Sequence, residues 1–349
     1  MTTSRRKFII GASAVLASPA ILRHASAQAA VTLKLHHFLP AVSNVHTKLL
    51  VPWTAKVAEA SGGKLKIDIY PSMQLGGTPP QLYDQARDGV ADIVWTLPGN
   101  TPGRFPSTEV FELPFVASAR GMVNARAGQE YSDTFLKDET KEVKLLSFWS
   151  HDRGLIHSNK QVKTMDDLKG LKLRFPTRLA GEALKALGAN AIGMPIPQVP
   201  ESLAQGVIDG AVVPWEVVPA IKLHELVKFH ADIPGSPTLY TASFFLAMNK
   251  AKYDGLPADL KAALDKASGM AFATDAGKVW DDAGAAVEKM VKERPGNTIT
   301  VISAEEKEKW IKATAPVVET WLKAMKDKNL DGAKQLETAK ALIAKYEKA

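Results

Sequence analysis

Residues 170–216, GLKLRFPTRLAGEALKALGANAIGMPIPQVPESLAQGVIDGAVVPWE, decide the fold, because short apolar runs alternate there with helix-forming stretches. Leu171-Lys172-Leu173 reads as a strand that delivers Arg174 to its end, and Pro176 stops the extended chain before a helix over 177–187. A strand near 191–194, a helix over 199–205 and a strand over 211–213 follow. This alternation predicts an α/β unit with a largely parallel sheet. An arginine at a strand end is placed to hold a carboxylate, since the planar guanidinium offers paired donors that a lysine lacks. A surface arginine paired with a carboxylate of its own domain fits the same pattern, and the residues alone leave both readings open.

The chain before this stretch has the same grammar. Strands are expected over 31–38, 65–70 and 90–95, with helices over about 44–60 and 80–88 between them. The segment Leu97-Pro98-Gly99-Asn100-Thr101-Pro102-Gly103-Arg104-Phe105-Pro106 is too rich in proline and glycine for regular structure. It is expected to be a shaped loop at a strand's C-terminal end, where open α/β sheets bind ligands. A helix over 121–137 and a strand over 143–149 complete the first unit, and the chain leaves it around 150–154. After the quoted stretch, 238–248 reads as a strand that returns to the first unit. Residues 257–292 read as a long helical region with Gly269, Gly277 and Gly284 as bend points. A strand over 298–302 and two lysine- and glutamate-rich helices end the chain.

At 349 residues, with 46% apolar and 23% charged residues, the chain is expected to form two domains with sizeable cores. Residues 1–27 read as an export signal. Arg5-Arg6 precede an apolar run from Phe8 to Ile21, and Ala25-Ser26-Ala27 supplies the small residues of a cleavage site. The paired arginines fit the twin-arginine address, and the apolar run, about 14 residues, is too short to span a bilayer comfortably. With the signal removed, the formal charge of +7 loses Arg5, Arg6, Lys7 and Arg23 and no acid, leaving +3. No basic stripe remains to engage nucleic acid. The absence of cysteine excludes disulfides, thiol nucleophiles and thiolate metal sites.

Seven short motifs stand in order along the mature chain: Tyr70-Pro71-Ser72-Met73-Gln74-Leu75-Gly76, Asp88-Gly89-Val90-Ala91-Asp92, Phe111-Glu112-Leu113-Pro114-Phe115, Asp167 to Arg174, Leu187-Gly188-Ala189, Gln205 to Gly210, and Met248-Asn249-Lys250. In register they resemble the solute-binding proteins of tripartite ATP-independent periplasmic (TRAP) transporters, of the organic-acid-binding DctP type. The resemblance implies a two-domain α/β clamp with a ligand cleft between the domains and a long helix crossing both. Domain I is then 30–151 with 241–280, and domain II is 152–240 with 281–349. It implies a periplasmic protein that closes on a small carboxylate and delivers it to membrane permease subunits, without catalysis and without a cofactor.

The resemblance also places Arg174 at the family's carboxylate-binding arginine. Where many relatives carry a second basic residue, the ungapped position here is Gly154, with Arg153 next to it and a candidate to reach the ligand. Relatives that bind sugar acids carry polar side chains at the approximate positions of Phe38, Leu97 and Val213, which here are apolar, with Trp95 and Trp215 nearby. An apolar wall leaves sugar hydroxyls unpaired at a cost of about 1–3 kcal/mol each. An aromatic or branched hydroxy or oxo monocarboxylate is therefore expected, with a sugar acid or dicarboxylate as the alternative. His37, near a strand end, is a candidate donor or a structural histidine. Glu216 beside Trp215 leaves open a metal next to the ligand, as some relatives have.

A periplasmic enzyme acting on an organic acid is the rival reading. The chain has no G-x-S-x-G elbow, H-E-x-x-H motif, Walker loop or dinucleotide-binding glycine fingerprint. The adjacent His36 and His37 point to opposite faces of a strand, so both cannot easily bind one ion.

Overall fold

The computed structural model describes residues 30–349, so the export-signal reading of 1–27 lies outside the described residues. Among the described residues eleven strands form two sheets: β1 Val31–His36, β2 Leu65–Tyr70, β3 Ile93–Thr96, β4 Val143–Ser150, β5 Leu155–Ser158, β6 Lys172–Phe175, β7 Asn190–Gly193, β8 Gly210–Val213, β9 Phe229–Asp232, β10 Ser243–Asn249 and β11 Thr298–Val301. The first sheet has the order β2-β1-β3-β10-β4 and the second β11-β9-β5-β8-β6-β7. Each is parallel except for one strand. Those two strands, β10 and β5, run antiparallel to both of their neighbours, and each is the first strand after the chain crosses from one sheet to the other.

Sequence explains most of these elements directly. In β1, Leu33 and Leu35 are buried while Thr32 and Lys34 are exposed, the alternation of a strand with one covered face. The short helix Met165–Leu168 is opened by a capping box between Thr164 and Asp167. β10 returns to the first sheet, as its apolar run implied. Strands β5 and β9 were not expected. Each has four residues, too few to show a period, and β5 is buried along its whole length.

The helical region breaks at Ser268, and Gly269 takes a φ of +57° that favours glycine. Helix Gly269–Glu293 then runs for 25 residues and buries Phe272, Ala276, Trp280, Ala283, Val287 and Val291 along one stripe. Gly277 serves close packing: a Cβ there would lie 2.6 Å from the Cα of Met122 in helix Gly121–Phe135. The tail differs from the expected grouping of 281–349 with the second sheet. Its last helix, Gly332–Glu347, packs on helix Gly121–Phe135 of the first sheet, where Tyr131 Oη donates to Gln335 Oε1 at 2.8 Å.

Candidate functional site

The loops at the strand ends of the two sheets face each other across a cavity. Its cationic element is Arg174. Strand β6 lies between β7 and β8, and Arg174 sits in register with Ile192 and Ala211. Pro176 then ends the extended chain where the guanidinium borders the cavity. Arg174 is only 3% exposed. Its Nε donates to the Met194 carbonyl at 2.8 Å and its Nη1 to the Val212 carbonyl at 3.4 Å. A guanidinium carries five N–H donors, so these two bonds leave donors over.

Among the described residues no carboxylate pairs with Arg174, whereas Arg153 and Arg178 each bridge two acids. Burial lowers the Arg174 pKa to about 10, which leaves it cationic at neutral pH. A buried, unpaired cation is costly unless an anion joins it. The surplus donors are therefore available to an anion that enters the cavity.

Tyr240 and His151 border the cavity with Arg174. His151 Nδ1 donates to the Asp152 carbonyl at 2.6 Å, and its Nε2 accepts from the Ala242 amide at 2.9 Å. Burial pulls the His151 pKa down to about 3, so the ring is neutral. Its Nε2 is thus already engaged when the Tyr240 hydroxyl, 3.3 Å away, approaches. Burial pushes the tyrosine pKa up, so the hydroxyl keeps its proton and can donate to a ligand oxygen.

The remaining walls are aromatic and aliphatic. Phe38 stacks on Trp95 with centroids 4.7 Å apart, Trp95 on Phe244 at 5.1 Å, and Phe244 packs on Trp280 at 5.3 Å. Leu97 and Val213 add aliphatic surface. Glu216 also borders the cavity, 2% exposed, and burial raises its pKa to about 7 against the opposing pull of the Val45 amide and Lys48.

The structure thus gathers Arg174, Phe38, Trp95, Leu97, Val213 and Glu216 around one space. Three other candidates lie elsewhere. The Arg153 guanidinium is held by Asp232 and Glu288, each at 2.8 Å, and does not border the cavity. Trp215 is fully buried against His157 and His230, with centroids 4.9 and 5.3 Å away. His37 places its Nε2 3.0 Å from His46 Nδ1 and accepts from the Leu39 amide, so both ring nitrogens are occupied. Among the described residues no three acidic or histidine side chains are grouped to hold a metal.

Sequence reasoning missed Tyr240, His151, Phe244 and Trp280. The signal available was the crossing itself: residues flanking a strand that changes sheets must pass the cleft. Trp280 belongs to the buried stripe of the long helix, and only the packing of that helix shows that the stripe reaches the cavity.

The two halves meet over the space. A Cβ on Gly99 would lie 2.4 Å from Thr177 Cγ2, so glycine is required at this contact. Asn44 Nδ2 donates to the Glu216 carbonyl at 2.9 Å. Arg178 grips Glu109 through Nε at 3.2 Å and Nη2 at 2.6 Å.

The family model DctP, bacterial extracellular solute-binding protein family 7, matches residues 35–324. The chain belongs to this family. Among solved DctP-type structures, a TRAP solute-binding protein from Rhodoferax ferrireducens in complex with copurified benzoate is 46% identical, with a TM-score of 0.88, over 91% of this chain and 99% of that one. A marine metagenome TRAP solute-binding protein specific for aromatic acids, in complex with 3-hydroxybenzoate, gives the same identity, TM-score and coverage. One from Bordetella bronchiseptica with bound (R)- and (S)-mandelate is 29% identical, with a TM-score of 0.83, over 90% and 99% of the two chains. The described residues contain no helix long and apolar enough to cross a membrane.

Proposed function

We propose that this protein captures a small aromatic monocarboxylate between its two domains and hands it to a TRAP permease without altering it. The observation that carries this reading is the buried Arg174 guanidinium, without a carboxylate partner of its own, bordering a cavity walled by Phe38, Trp95, Phe244 and Trp280. The carboxylate pairs with Arg174 and accepts from Tyr240, while the ring fills the apolar space. Closure strips water from the ion pair and strengthens it. The relatives in complex with benzoate, 3-hydroxybenzoate and mandelate support the same ligand class.

The export signal read in residues 1–27 supports action in the periplasm. The crossings at 150–155 and 232–243, with helix Gly269–Glu293, are the connections that closure has to bend.

Titration calorimetry with benzoate, mandelate, galactonate and succinate tests the proposal. Benzoate or mandelate is expected to bind stoichiometrically, unchanged on recovery. Binding of galactonate or succinate in their place would overturn it.

A further inference from the structure

Among the described residues, Glu216 is the only acidic side chain that borders the cavity. Its Oε1 is buried and has no hydrogen-bond partner. It forms no ion pair with Arg174, although both border the same space; the charge that acts on Glu216 is Lys48. Its main chain is fixed from the other half by Asn44, so the carboxyl has a set position once the halves have closed. Trp95 and Trp280 also line the cavity, and their indole Nε1 donors are buried without acceptors.

One unpaired acceptor and two unpaired donors on residues that line the cavity are expensive to leave unsatisfied. A carbon-bound hydroxyl answers both needs, because it donates one proton and accepts on its lone pairs. We propose that Glu216, with the indole N–H groups of Trp95 and Trp280, reads a hydroxyl group on the bound acid and so makes the site selective for hydroxylated aromatic acids. This rests on the aromatic-acid reading above and adds a second polar pole to the one made by Arg174. The hydroxyl donates to Glu216 Oε1 and accepts from an indole.

The test is calorimetric titration of the protein with benzoate, the three hydroxybenzoates and the matching methoxybenzoates, repeated on Glu216→Gln and Glu216→Leu. At least one hydroxybenzoate isomer is expected to bind about tenfold tighter than benzoate, and its methyl ether, which cannot donate, to lose that gain. The hydroxybenzoate-to-benzoate ratio is expected to shrink in Glu216→Gln and to vanish in Glu216→Leu. Reading the ratio separates hydroxyl recognition from a general loss of closure, which would weaken both acids alike. The proposal is overturned if no isomer outbinds benzoate, if a methoxybenzoate matches its hydroxy parent, or if the ratio survives in Glu216→Leu. If neither mandelate, benzoate nor any hydroxybenzoate binds, the aromatic-acid reading falls and this proposal falls with it; if mandelate or benzoate binds and no hydroxybenzoate outbinds benzoate, only this proposal falls.

Discussion

The ring of Tyr240 lies where a side chain on Gly154 would have to be: a Cβ built on Gly154 would stand 2.0 Å from Tyr240 Cδ1 and 2.1 Å from Cε1. The position at which many relatives carry a basic residue is here a bare backbone, and a neutral phenol fills the gap. The site therefore offers its ligand one buried cation and one hydroxyl, which suits a monoanion.

Gly154→Ala forces the aromatic ring away from its seat. Overpacking of this kind costs about 1–3 kcal/mol, so the variant is expected to unfold at lower denaturant concentration and to bind its ligand more weakly. Unfolding and binding curves matching those of the parent would show that the ring yields without cost.

Arg174→Ala removes the anion's partner. Its affinity for an aromatic acid is expected to fall by roughly 2–5 kcal/mol, about 30-fold to a few thousand-fold, and the ligand-induced rise in Tm to disappear. Calorimetry and thermal denaturation check this, and an affinity within a few-fold of the parent would remove Arg174 from the site.

Tyr240→Phe keeps the ring against Gly154 and deletes only the hydroxyl. Binding is expected to weaken about tenfold to a hundredfold, the worth of one hydrogen bond to a charged group, with little change in the unliganded Tm. A Kd equal to the parent's would show that the hydroxyl serves His151 alone.

Arg178→Ala cuts a bidentate contact between the halves at Glu109, a residue that does not border the cavity. Loss of this clasp is expected to weaken ligand binding about twofold to tenfold, and small-angle scattering of the liganded variant should show a larger open fraction. Unaltered affinity would mean that the pair persists when the halves part.

Glu216 supplies a pH signature. Its folded-state pKa of about 7 stands above the ordinary value of 4.5, because burial penalises the charged form. The folded protein therefore holds a proton that the unfolded chain releases. The associated stability is complete below about pH 4.5 and is lost as pH rises through about 7, up to about 3 kcal/mol in all. The groups that act on this carboxyl are the Val45 amide and Lys48, and Asp152 lies close enough to be raised by it. Glu216→Gln, which cannot ionise, should gain stability relative to the parent between pH 5 and pH 8. A Tm difference that stays flat across this range would contradict the assignment.

The alternating pattern of 170–216 made the β6-to-β8 unit legible, whereas the position of Arg174 before Pro176 left two readings open and only the family resemblance chose between them. Phe38, Leu97 and Val213 were readable as cavity wall because their apolarity stood out against the family's sugar-acid binders. Arg153 was not, because two acids from distant segments, Asp232 and Glu288, claim its guanidinium. Trp215 turned inward for a similar reason: its neighbours His157 and His230 come from β5 and β9, strands too short to be seen in advance. What stayed hidden is what depends on long-range juxtaposition, and the fit of Tyr240 against Gly154 is the clearest instance.

The contact of Gly99 with Thr177 over the cavity has a kinetic consequence. A ligand behind the contact of Gly99 with the Thr177 side chain is freed more readily once that contact parts. The rate of parting then bears alike on the dissociation of every cargo, good or poor.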